Sequence, residues 1–107
     1  MTTLGDFEHL VMLALLRLGP DAYGANVRRD IEERSGRRVS ISAVYTTLER
    51  LEHKGLLRSW VGEPTPERGG RRRRHFELTA AGARALKATH KAYAGMVAGL
   101  EQRLRAL

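Results

Sequence analysis

The segment DFEHLVMLALLRL, residues 6–18, constrains this chain more than any other. Read as a helix, it spreads Leu10, Val11, Leu13, Ala14, Leu15 and Leu16 round its axis and leaves almost no polar face. A helix apolar on nearly every side must be covered on nearly every side. The chain has 107 residues, which suits one domain with a modest core. Part of the cover is therefore expected from a second copy, with Leu10 and Leu13 among the contacts. Asp6 is expected to cap the helix start, and Gly19-Pro20 to end it.

The rest of the chain reads as two more helices, two strands and a final helix. Residues 23–34 carry Val27 and Ile31 four apart on an inward face, with Arg28, Arg29, Glu32 and Glu33 outward. Ser35-Gly36 supplies the stop. In SISAVYTTLERLEHKG, Ser40 is the cap and Ile41, Val44, Leu48 and Leu51 form a core stripe. Gly55 ends that helix. Residues 56–61 (LLRSWV) and 72–78 (RRRRHFEL without its first Arg) read as strands, joined by GEPTPERGGR, a tip no helix tolerates. Trp60 is expected to pack between sheet and helices. Thr79 caps a last helix over 80–107. Its Ala83, Leu86, His90, Tyr93, Val97, Leu100, Leu104 and Leu107 fall at alternating steps of three and four, a heptad seam. The seam is expected to face a partner, with His90 a tolerated polar residue within it. Leu86, Tyr93, Val97, Leu100 and Leu104 join Leu10 and Leu13 as dimer contacts.

This order predicts an α+β fold, mostly α: a winged helix-turn-helix over residues 1–79 and a C-terminal dimerisation helix over 80–107. The two form one compact unit. B-DNA's major groove admits one α-helix, and a basic hairpin beside it adds phosphate contacts.

Charge points the same way. Nineteen Lys and Arg oppose twelve Asp and Glu, for a net charge of +7. A small domain this basic has an electrostatic reason to sit on a polyanion. The outward face of the third helix carries Ser42, Ala43, Thr46 and Arg50, short side chains that permit close approach and one long cation. Tyr45 lies at the edge of that face and either packs in the core or aims its hydroxyl at a phosphate. The run Arg71-Arg72-Arg73-Arg74 follows Gly69-Gly70, and four adjacent guanidinium groups repel one another unless an anion is near. The expected DNA contacts are Ser42, Ala43, Tyr45, Thr46, Thr47 and Arg50 on the helix, and Arg71, Arg72, Arg73 and Arg74 on the hairpin.

Other functions find little support. The four histidines lack metal-ligand spacing and no cysteine supports them. No nucleophile elbow, P-loop or dinucleotide fingerprint occurs. Neither catalysis, a cofactor nor a metal is expected. No apolar run approaches the roughly 20 residues that span a bilayer, and the start lacks signal-peptide character. The expected location is the cytoplasm.

The sequence resembles the PadR family of regulators, in its short form with a single C-terminal helix. The resemblance rests on VSISAVYTTLERLEHKGLL (residues 39–57), on Tyr23-Gly24 with Val27, and on Arg74-His75-Phe76-Glu77-Leu78-Thr79 followed by Gly82. Phe76 stands where members often carry Tyr, and Ala81 where Pro is common. The resemblance implies a homodimer, built by the first and last helices, that represses nearby promoters and in many members answers a small molecule. The expected function is a sequence-specific repressor on an inverted-repeat operator in double-stranded DNA, with an effector of unknown identity. A protein-interaction module and a non-specific DNA binder are the alternatives.

Overall fold

The computed structural model describes residues 4–63 and 72–107. Its elements are α1 (Asp6–Leu18), α2 (Gly24–Ser35), α3 (Ile41–His53), β1 (Leu57–Val61), β2 (Arg74–Leu78), α4 (Ala80–Val97) and α5 (Glu101–Arg105), with a 3-10 turn at Gly19–Asp21 between the first two. The expected mixture of helices and one hairpin is present. Asp6 is not the cap of α1. Gly5 holds that position in extended backbone, and its N–H donates to Glu8 Oε1 at 2.8 Å. Asp6 is the first helical residue, where its charge still faces the positive end of the helix. α2 ends at Gly36, whose φ of 73° is the left-handed end position that favours glycine. Ser40 caps α3 as expected, its hydroxyl accepting from the Ala43 N–H at 3.0 Å.

β1 and β2 pair antiparallel, from Leu57 opposite Leu78 to Val61 opposite Arg74. The hairpin is stitched to the segment before α2. The Phe76 N–H donates to the Ala22 carbonyl at 3.1 Å, and Tyr23 bridges to His75. α4 is capped by Thr79, whose hydroxyl accepts from the Gly82 N–H at 3.0 Å and donates to the Gly55 carbonyl at 2.7 Å. A Cβ at residue 82 would fall 2.0 Å from the Leu56 carbonyl oxygen, so only glycine lets α4 lie this close to the hairpin root. The core gathers Val11, Met12 and Leu15 of α1, Val27 and Ile31 of α2, Val44, Leu48 and Leu51 of α3, and Leu57, Phe76 and Leu86.

Two expectations are corrected here. Ile41 does not join the core stripe. It is the first residue of α3 and is 37% exposed, lining an open cleft with Ala25, Arg28, Arg29 and Glu32 of α2. The single helix over 80–107 is interrupted. α4 stops at Val97, Ala98 leaves helical backbone with ψ of 125°, and Gly99 has φ of 85°, before the short α5 begins at Glu101. The heptad spacing hid this break, since apolar period says nothing of the glycine that interrupts it.

Candidate nucleic-acid interface

α2 sets where α3 begins. Arg28 Nε donates to the Val39 carbonyl at 3.0 Å, and the Val39 N–H donates to Glu32 Oε2 at 3.1 Å. Two side chains one helical turn apart thus grip both polar groups of the residue before the Ser40 cap. The far end of α3 is held by α1: Lys54 Nζ donates to Glu8 Oε2 at 2.8 Å. Burial pulls the Glu8 carboxyl up, but Lys54 and the Gly5 N–H outweigh it and hold the group below its ordinary value.

Between those anchors the outer face of α3 presents Ser42, Ala43, Tyr45, Thr46, Glu49 and Arg50, all exposed. Thr47 is corrected out of this set. It is 5% exposed and turns inward beside Val44, Leu48 and Leu51, as its place one turn from Val44 and Leu51 requires. Glu49 was missed by the sequence reading, which looked for cations and small hydroxyls. Tyr45 is 39% exposed, and the hydroxyl end of its ring lies against the start of α2, where a Cβ at residue 24 would meet the ring carbon bearing the hydroxyl at 2.4 Å. Glycine at residue 24 makes the room in which the tyrosine ring sits.

The hairpin arginines divide. Arg71 lies outside the described residues. Arg72 is exposed. Arg73 sets its guanidinium 4.3 Å from the centre of the Tyr23 ring, a cation–π contact that aims it along the α2 side. Arg74 is not free. Its Nη2 donates to Glu52 Oε1 at 2.6 Å and its Nε to Ser59 Oγ at 3.0 Å. Side chains alternate along a strand, which separates Arg73 from Arg74. Nothing in the sequence shows that Glu52, one turn beyond Leu48, meets the second of them. Trp60 does not fill the space between sheet and helices. It is half-buried and stacks on His75 at 5.6 Å, with the Tyr23 ring edge-on to the same imidazole.

The matching family model is the transcriptional regulator PadR-like family, aligned over residues 12–88, more than half of the chain. The chain belongs to the PadR-like family of transcriptional regulators. Among solved structures, a PadR family transcription regulator from hypervirulent Clostridium difficile is 25% identical with a TM-score of 0.75, over 94% of this chain and 99% of the other. A PadR family transcriptional regulator from Eggerthella lenta is 27% identical with a TM-score of 0.66, over 89% of this chain and 80% of that one. A winged-helix DNA-binding protein from STIV shares 17% identity and a TM-score of 0.71, over 92% and 98% of the two chains, a likeness of fold alone. No curated protein matches the sequence. The fold is a winged helix, mostly helical with a two-stranded antiparallel sheet.

Away from α3, this PadR-like chain leaves much apolar surface open. Every residue from His90 to Leu107 is exposed, and they include Tyr93, Met96, Val97, Leu100 and Leu104. Leu86 does not share that surface. It is buried in the protomer's own core, one face of α4 being covered by α1 as far as Thr89. Leu10 and Leu13 are half-buried and line a cleft with Arg17, Asp30, Ile31 and Arg34. Leu16, at 62% exposure, is the open apolar residue of α1 that the sequence reading did not single out. The His9 ring stacks on Tyr93 at 5.3 Å and fixes where the open stretch leaves the core. Among the described residues no helix is long and apolar enough to cross a membrane.

Proposed function

We propose that this PadR-like regulator is a homodimeric repressor that reads an inverted repeat in double-stranded DNA. One observation carries the reading: α3, with its exposed face of Ser42, Ala43, Thr46 and Arg50, packs against the first strand of a hairpin whose outer end bears Arg72 and Arg73. In this reading α3 enters the major groove, with Ser42 and Thr46 close to base edges and Arg50 on a phosphate or guanine. Tyr45 sits at the groove's edge, its hydroxyl toward a phosphate. Arg71, Arg72 and Arg73 meet the backbone beside it, each neutralised phosphate adding roughly one unit to the salt slope.

The dimer brings together Tyr93, Met96, Val97, Leu100 and Leu104 of two chains, with α1 contributing through Leu10, Leu13 and Leu16. Two α3 helices would then lie roughly 34 Å apart, one turn of duplex. Effector response belongs to the same reading. A cleft of about 210 Å³ lined by Leu4, Thr89, Ala92, Tyr93 and Met96 adjoins the dimer face, so an apolar ligand there would shift one protomer against the other. The proteins this reading requires work in the cytoplasm and need no metal or cofactor.

The test is selection of bound duplexes from a random pool, followed by footprinting on the DNA upstream of the chain's own gene. An enriched inverted repeat protected on two successive major grooves is the expected result. Recovery of no preferred sequence at moderate salt would contradict it. Thr46→Ala should cost preference for the selected site more than affinity for random duplex.

A further inference from the structure

Three side chains close a ring between the end of α3 and the hairpin. The Ser59 hydroxyl donates to Glu52 Oε2 at 2.6 Å and accepts from Arg74 Nε at 3.0 Å. Arg74 Nη2 completes the ring on Glu52 Oε1 at 2.6 Å. Ser59 stands opposite Phe76, on the same face of the hairpin as Arg74, so both strands are held by one carboxylate. All three contacts are charge-assisted, and two of them use both oxygens of Glu52, a side chain that is itself 30% exposed. Beyond this ring the described hairpin has one further backbone tie, the Gly62 N–H on the Arg73 carbonyl at 2.7 Å.

An acidic side chain at the end of a helix meant for DNA costs affinity by plain electrostatics. We propose that Glu52 is a positioning residue: with Ser59 it grips Arg74 and sets the angle at which the hairpin's other arginines meet DNA. Arg74 is then a part of the hinge and makes no phosphate contact. This rests on the DNA-binding reading for its consequence, but the grip itself is a property of the free protein.

The two roles of Arg74 give opposite signs. Where Glu52 positions the hairpin, Glu52→Gln weakens binding to the selected duplex although it removes a negative charge. The loss is about threefold to fivefold, the size of one partly exposed ion pair. The same change releases Arg74 toward the phosphates, so affinity for random duplex rises and the salt slope steepens by up to about 0.9. Arg74→Gln costs the selected duplex a similar factor and leaves the slope unchanged. The double variant is no weaker than either single one, because both break the same ring.

The experiment is fluorescence anisotropy of the full chain and these three variants on selected and random duplexes across a salt series. It is joined by amide hydrogen exchange without DNA. Faster exchange at Gly62 in both single variants, with the Val11 and Met12 amides unchanged, is the expected result. Glu52→Gln binding every duplex more tightly, with Arg74→Gln lowering the slope by about 0.9, would overturn the proposal and make Arg74 a phosphate contact. Unchanged protection at Gly62 in both variants would overturn it as well. Failure of the unaltered chain to bind any duplex would instead sink the DNA reading, and Gly62 exchange would still decide the grip.

Discussion

The winged-helix unit and the stretch beyond Thr89 treat apolar side chains in opposite ways. Up to Thr89, Val11, Met12, Val27, Val44, Leu48, Leu51 and Phe76 close over one another and leave no more than 1% of their surface to solvent. After it, Tyr93, Met96, Val97, Leu100 and Leu104 expose between 39% and 77%. The first region is self-sufficient because three helices and a hairpin surround one volume. The second has little of its own chain beside it beyond His9 and Leu4 near Tyr93, and large open apolar patches on a small protein mark interaction surfaces. One α4 is thus divided: its first half completes a core, and its second half leaves its apolar side chains open to solvent.

The contrast breaks most severely at its closed end. Phe76→Ala should lower the unfolding free energy by about 3–5 kcal/mol, read from urea unfolding, since the ring is fully buried at the meeting of β2 and the α1–α2 corner. A loss below about 1 kcal/mol would mean the core is looser than its burial implies. Val97→Asp should do the reverse. In the proposed dimer it should raise the dissociation constant by about thirtyfold or more, read from sedimentation velocity over a concentration series. The separated protomer should keep its stability within about 0.5 kcal/mol, as an exposed substitution does.

A smaller effect sharpens how the closed region is tied together. Glu8→Gln removes the carboxylate that Lys54 and the Gly5 N–H share, and should cost about 1–2 kcal/mol at pH 7. The folded carboxyl lies below its ordinary value of 4.5, so its contribution is present above that pH and is lost as pH falls through the folded value. The gap between the unaltered chain and the variant should therefore close in acid, and a gap that widened there would contradict the assignment. The smallest effect is Gly24→Ala. The displaced Tyr45 ring can swing into solvent, so stability should move by no more than about 0.5 kcal/mol. Affinity for the selected duplex should still fall about threefold, in anisotropy, as a side chain at the groove's edge is moved.

Much of this was legible in the sequence. Ser40 before an apolar stripe, Gly36 after one, and Thr79 with Gly82 following the second strand all announced elements where they are found, because caps and left-handed ends are local chemistry. What was not legible was tertiary. Ile41 and Thr47 exchanged their expected faces because helical period fixes angles but not which arc the neighbours cover. Arg74 looked like its three neighbours until Glu52 and Ser59 were brought to it from distant positions. The break at Gly99 lay inside an unbroken apolar rhythm and was passed over for that reason.

Sedimentation equilibrium of the chain on a selected duplex asks most directly whether the open stretch makes two protomers act together. A complex of two chains per duplex is the expected outcome, on half-sites about one helical turn apart, and Val97→Asp should reduce it to weak single occupancy. One chain per duplex, bound equally well with and without that change, would contradict it.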